Sequence, residues 1–177
     1  MLVLVVGPSG AGKDTLLSMA REALAGDPRF RFVRRVITRP SGAEDNEAVS
    51  DAEFASRRFA LQWQAHGLHY GIPLYIADDL ARGVTVVANV SRTVIAAAAE
   101  RFPVQVILVT APPAILARRL AERRRETAED IAERLVREVV LPAQVPLVTV
   151  MNDGTPAQGA NRFIAALIRA ARPVPPE

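Results

Sequence analysis

Gly7-Pro8-Ser9-Gly10-Ala11-Gly12-Lys13 is the stretch whose residue types and spacing most directly specify a chemistry. Glycines at its first, fourth and sixth positions let successive backbone N–H groups face one point, and a helix starting at the lysine adds the positive end of its dipole. A turn of this kind binds a polyphosphate, with the lysine reaching the terminal groups. Lys13 is the one lysine beside 21 arginines, so general composition does not account for it. The pattern normally continues with Ser or Thr, whose hydroxyl meets Mg²⁺, but here Asp14 follows and Thr15 comes after it. A carboxylate is a hard ligand that suits Mg²⁺ directly or through a water. A carboxylate in a first helical turn also favours the dipole with no metal involved, and both readings of Asp14 stand at this point.

Arginines form the next candidates. Arg118, Arg119, Arg123, Arg124, Arg125 and Arg134 fall in one charged segment, and Arg119 and Arg123 are four apart. On a helix that spacing puts two guanidinium groups on one face, able to fork onto phosphate oxygens as a lid closes. The bland reading is a solvated face paired with Glu122, Glu126 and Glu129; the phosphate loop tips the balance toward the lid. Arg34-Arg35-Val36-Ile37-Thr38-Arg39-Pro40 alternates, so Arg35 and Arg39 are expected to meet different neighbours from Arg34, and the strand ends at a rigid proline. It reads as an anion clamp or an exposed edge strand. His66 and His69 lack a third ligand at metal-site spacing and read as loop residues.

The elements that position these groups follow from periodicity. Leu2–Val6 is a continuous apolar run, the pattern of a strand buried on both faces. Leu16, Leu17, Met19, Ala20, Ala23 and Leu24 recur at helical spacing up to Gly26-Asp27-Pro28. Thr85–Ala88, Val104–Val109 and Leu147–Met151 are further buried strands separated by helical stretches, so the fold class is α/β with a parallel sheet flanked by helices. Thr155 and Pro156 mark the start of a last helix carrying Phe163, Ile164, Leu167 and Ile168, with a frayed tail from Pro173. Shorter runs, Phe32–Thr38 and Phe59–Gln64, and the polar stretch Ser41–Asn46 mark an inserted subdomain over about 30–80.

Composition sets outer limits. The 177 residues suit one domain, half apolar, 23% charged and 5% aromatic, which excludes collagenous, disordered and coiled-coil classes. The sequence pI of about 10.1 is an arginine effect and does not choose among anionic partners. Absence of cysteine excludes disulfides, thiolate nucleophiles and cysteine-ligated metals. The Leu2–Val6 run is too short for a signal core and no apolar stretch reaches about 18 residues, so a cytoplasmic protein without membrane partner is expected. A nucleic-acid face would need stacking aromatics, and the chain has one Trp and two Tyr.

Taken together, the loop Gly7–Thr15, Thr38-Arg39-Pro40, Tyr70-Gly71, Arg119-Leu120, Arg123 and Arg134 resemble, in order and spacing over about residues 1–155, the guanylate kinase branch of the nucleoside monophosphate kinases. The resemblance implies a P-loop NTPase core (1–29 and 81–172), an acceptor subdomain (about 30–80) and a lid (about 118–130). It implies ATP binding by Gly7, Pro8, Ser9, Gly10, Ala11, Gly12, Lys13, Asp14 and Thr15, with Asn152-Asp153 near the adenine, and catalysis by Lys13, Arg119, Arg123 and Arg134. Two departures concern the base: Leu61 and Ser91 stand where that branch places carboxylates for guanine. Buried guanine donors left unpaired would cost about 1–3 kcal/mol each. Gly42 replaces a second phosphate arginine. With Asp14, Ile37-Thr38-Arg39-Pro40, Phe59-Ala60-Leu61, Trp63, Gly67, Asn89, Ser91-Arg92 and Asn152-Asp153-Gly154, the sequence resembles the guanylate-kinase-like ribose 1,5-bisphosphate phosphokinases of phosphonate breakdown. That resemblance implies ATP and ribose 1,5-bisphosphate as substrates, Mg²⁺ at Asp14, and acceptor binding by Arg35, Arg39, Tyr70, Asn89, Ser91 and Arg92. A nucleoside monophosphate kinase is the nearest competing expectation, and a non-catalytic interaction module the more distant one.

Overall fold

The computed structural model describes residues 1–39, 46–122, 142 and 144–171. All five residues of β1 (Leu2–Val6) are buried, which requires cover on both faces. Val3 and Val5 enter one core with Leu16, Leu17, Ile107, Phe163 and Leu167. Leu2, Leu4 and Val6 enter the other with Ile72, Ile76, Val86, Ile95 and Val106. This division is the period-two alternation of a strand, and burying each Leu or Val side chain contributes about 1.5–3 kcal/mol.

β1 is the middle of a five-stranded sheet in the order β2 (Phe30–Phe32), β7 (Thr85–Asn89), β1, β8 (Val104–Thr110), β9 (Leu147–Met151). Every pairing in it is parallel. From β1 the chain runs to the outer β2, returns to β7 and then builds β8 and β9 on the other side. The order therefore reverses at the carboxyl end of β1, the place where open α/β sheets bind ligands. Helix α1 (Lys13–Ala23) and helix α6 (Pro156–Ala170) cover one face, and α6 begins with a capping box between Thr155 and Gln158.

A second sheet has the order β4 (Asn46–Ala48), β3 (Arg35–Ile37), β6 (Leu68–Pro73), β5 (Phe59–Ala65), with α2 (Asp51–Ser56) beside it. Here the structure corrects two expectations. Phe32–Thr38 is not one strand: Phe30–Phe32 pairs with β7 in the core sheet, and the second sheet begins only at Arg35. Phe30 packs in the core. His69 lies in β6 rather than in a loop, its ring tilted 5.5 Å from Phe54. His66 and Gly67 form the two-residue turn of the β5–β6 hairpin, both with positive φ as such turns require. Gly71 in β6 has a steric reason, since a Cβ there would stand 2.4 Å from the Phe59 ring.

The second sheet leads through α3 (Ile76–Ala81) back to β7. Asp79 on α3 is 3% exposed and is held by Arg82 at 2.6 Å and Arg31 at 3.4 Å. A short 3₁₀ turn (Arg92–Val94), α4 (Ile95–Ala99) and α5 (Pro113–Glu122) complete the described elements. Among the described residues no helix is long and apolar enough to cross a membrane.

Candidate active site

The loop after β1 turns into α1 through Gly12, whose φ of 86° and ψ of 20° lie in the left-handed region. A Cβ at Gly12 would meet the Asn152 amide nitrogen at 2.6 Å, so conformation and space both exclude a side chain. Lys13 folds over this loop, its ammonium donating to the Gly7 carbonyl at 2.8 Å and the Pro8 carbonyl at 3.0 Å. The only lysine of the chain thus sits at the mouth of the backbone turn that the motif predicts.

Two clefts of similar size flank this loop and use different faces of α1. One, of about 230 Å³, is lined by Asp14, Ser18, Arg21, Arg35, Asn46 and Asn89 among others. Asp14, Leu17, Ser18 and Arg21 recur at i, i+3, i+4 and i+7, a single helical face. The other, of about 250 Å³, is lined by Gly10, Gly12, Thr15, Arg119, Asn152 and Pro156. One loop can therefore hold a polyphosphate with a separate compartment on each side.

In the first cleft the Asn89 amide donates to Asp14 at 2.9 Å, which orients an exposed carboxylate next to Lys13. Arg35 Nε donates to Asn46 Oδ1 at 3.1 Å, and its guanidinium lies 5.8 Å from the Tyr70 ring. Tyr70 in turn stacks on Trp63 across the β5–β6 pair, 5.3 Å apart and 5° from parallel. A cation on an aromatic face gains about 0.5–1 kcal/mol at an exposed site. Arg34 and Arg35 do not part company as alternation suggested: the Arg34 guanidinium donates to the Asn46 carbonyl at 3.2 Å. Asn46 gathers both because its backbone and side chain offer separate acceptors.

In the second cleft Arg119 donates to the Gly10 carbonyl at 3.4 Å. Asn152 is 5% exposed, and its amide donates to the Ala11 carbonyl at 2.8 Å. Its Oδ1 is buried without a hydrogen-bond partner. Asn152 thus braces the loop from β9. Asp153 is engaged elsewhere, accepting from Arg162 at 2.7 Å, and this hydrogen bond holds its carboxyl below the ordinary value.

Other expected acceptor residues lie apart from the first cleft. Arg39 lines a separate groove with Ser50, Asp51 and Glu53. The Ser91 hydroxyl caps the 3₁₀ turn, accepting from the Thr93 backbone at 3.3 Å and from its hydroxyl at 3.0 Å. Arg92 is half-buried, and burial lowers its guanidinium pKa. Arg123, Arg134 and most of the expected lid fall outside the described residues, as do Pro40 and Gly42. Arg118 is paired with Glu122 at 3.9 Å on an exposed face. Ser18, Arg21 and Asn46 are the cleft residues that sequence reasoning passed over. The i+7 spacing of Arg21 from Asp14 was the available signal.

A family model described as AAA domain matches residues 2–143. A protein of Acidiphilium cryptum (strain JF-5) named ribose 1,5-bisphosphate phosphokinase PhnN is 56% identical, covering 95% of this chain and 92% of its own. One of the same name from Methylobacterium radiotolerans is 51% identical, covering 94% and 96%. The chain belongs to the ribose 1,5-bisphosphate phosphokinase family.

Among solved structures, guanylate kinase from Anaplasma phagocytophilum superposes with a TM-score of 0.65 at 18% identity, covering 97% of this chain and 85% of that one. The phosphokinase family thus shares the P-loop kinase fold. Of the two positions where the resemblance expects guanine-binding carboxylates, Leu61 is 4% exposed in the second core and the Ser91 hydroxyl caps a turn.

Proposed function

We propose that the protein transfers the γ-phosphoryl group of ATP to the C1 phosphate of ribose 1,5-bisphosphate, giving 5-phosphoribosyl 1-diphosphate and ADP. The observation that carries this reading is the acceptor-side cleft. Its charged lining is Arg21, Arg35 and one carboxylate, Asp14, already engaged by Asn89, a set suited to an anionic sugar rather than a purine. The names of the relatives agree with it.

The acceptor oxygen belongs to a phosphate monoester whose second pKa is near 6, so it is ionised at neutral pH and attacks without a general base. A bond forms between that oxygen and the γ-phosphorus, the bond from the γ-phosphorus to the β–γ bridging oxygen breaks, and ADP leaves. Catalysis is then positioning and charge stabilisation. The backbone N–H groups of Ser9 to Lys13 and the Lys13 ammonium bind the β and γ phosphates. Arg119, Thr15 and the Asn152 region accommodate the nucleoside in the second cleft, and Arg35, held by Tyr70 and Asn46, binds the acceptor. Arg123 and Arg134, which lie outside the described residues, are assigned to the transferred group by the resemblance alone. Asp14 fits Mg²⁺, which is commonly held by one or two carboxylates plus substrate phosphates and keeps several waters. The ion supplies neutralisation of charge on the phosphates.

The test is an ADP-release assay with Mg-ATP and either ribose 1,5-bisphosphate or GMP, with Lys13→Ala as blank and the product identified by phosphorus NMR. Turnover of the ribose compound to a 1-diphosphate is expected. Turnover of GMP alone would overturn the assignment in favour of a nucleotide kinase.

A further inference from the structure

Ribose 1,5-bisphosphate carries two phosphates, and the reaction uses only the one on C1. The other must be recognised without being brought to the loop. We propose that Arg21 and Arg35 together bind the C5 phosphate, at the end of the acceptor-side cleft away from Lys13; this rests on the substrate reading above.

Helix α1 sets the length scale of the cleft. Asp14, next to Lys13, and Arg21 line the same cleft from the same helical face, seven residues or about 10.5 Å apart along the axis. The cleft therefore has a transfer end, at Asp14 and the loop, and a distal end two helical turns away.

Two elements bring cations to this cleft. Arg21 comes from α1 and Arg35 from β3, and both line the cleft. Arg35 is positioned by the Asn46 side chain at 3.1 Å and by the Tyr70 face, itself stacked on Trp63. A guanidinium braced on an aromatic ring and an amide loses less side-chain entropy on binding than a free one. The remaining polar lining, Ser18, Asn46 and Asn89, can donate to sugar or phosphate oxygens. A dianionic phosphate offers each guanidinium fork a bidentate partner.

The assignment gives a bisphosphate a cationic contact from the helix face in addition to that from β3. It makes Arg21 a specificity residue that distinguishes a bisphosphorylated ribose from singly phosphorylated sugars.

The experiment compares the wild type with Arg21→Gln, Arg35→Gln and Arg21→Lys. It measures KM for ribose 1,5-bisphosphate and for ATP, and inhibition constants for ribose 5-phosphate and ribose 1-phosphate as competitors of the acceptor. R21Q and R35Q are expected to raise the acceptor KM about 10- to 100-fold, as loss of a charge-assisted contact does, with the ATP KM unchanged. Ribose 5-phosphate inhibition should weaken in parallel and ribose 1-phosphate inhibition should not, with R21K restoring part of the loss. Equal weakening of both inhibitors, or an unchanged acceptor KM in R21Q, overturns the proposal. If R21Q does not fold, R21K and R35Q decide by the same split between inhibitors. Wild-type enzyme that forms no 1-diphosphate overturns the substrate reading and this proposal with it. Wild type that forms it while the variants show no split overturns this proposal alone.

Discussion

Lys13 donates to two loop carbonyls and is poised at the phosphate site, so its removal takes away charge stabilisation without opening a core. Lys13→Ala is expected to lower kcat by about 10²–10³, the cost of losing one preorganised donor. A circular dichroism melt close to that of the wild type should accompany it. Asn152 makes the opposite case, since its buried amide donates to the Ala11 carbonyl. Asn152→Asp replaces that donor with an acceptor facing an acceptor, and should cost about 1–3 kcal/mol in urea denaturation, with weaker ATP binding by calorimetry. Unchanged ATP affinity in a folded N152D would show that the brace does not shape the loop.

At the scale of elements, the junction of β9 and α6 presents the loop's brace and start of the last helix together. Thr155 accepts from Gln158 N at 3.3 Å while Gln158 Oε1 accepts from Thr155 N at 3.0 Å. Thr155→Ala should cost about 1 kcal/mol of global stability. Arg162 ties α6 back to the Met151 carbonyl and the Asp153 carboxylate, both at 2.7 Å. The Arg162 hydrogen bond depresses the Asp153 pKa below its ordinary value of 3.8. A depressed carboxyl pKa stabilises the fold above the unfolded value, and the contribution is lost as pH falls through the folded value. The Tm difference between wild type and Asp153→Asn should accordingly be present at pH 7 and vanish in strong acid. A difference that persists there would mean the carboxylate charge is not its source.

For the whole molecule, Phe163 is the largest fully buried side chain and joins α6 to the core under β1, at 0% exposure. Phe163→Ala should destabilise by about 3–5 kcal/mol through loss of apolar burial and the cavity left behind. Its folded fraction should nevertheless retain wild-type KM values, because the site lies at the sheet's carboxyl edge and not in this core. The second sheet behaves differently, since Ile72 and Leu61 pack into the same cluster as β1 and β7. The two sheets therefore share apolar contacts, and the position of Arg35 relative to Lys13 depends on both.

Local chemistry accounts for what was readable in the chain. The phosphate loop, the β1 run and the Thr155–Pro156 start were legible because each depends on near neighbours: glycine φ freedom, continuous burial, a helix cap. Leu147–Met151 is a strand as expected but not a buried one, because it forms the edge of the core sheet and leaves Leu147 and Met151 exposed. The split of residues 30–38 between two sheets was not, because alternation is the same whichever sheet a strand joins; the Phe30–Thr85 register and the core under Phe30 decided it. The pairing of Asp14 with Asn89, 75 positions apart, and the shared lining of one cleft by Arg21 and Arg35 depend on where β7 and β3 lie against α1. Sequence alone determined that this protein binds a polyphosphate at a strand–helix turn, since that site is built from contiguous backbone. What lies on either side of the turn was decided by the tertiary structure, because an acceptor cleft is lined by side chains from separate elements that only packing brings together.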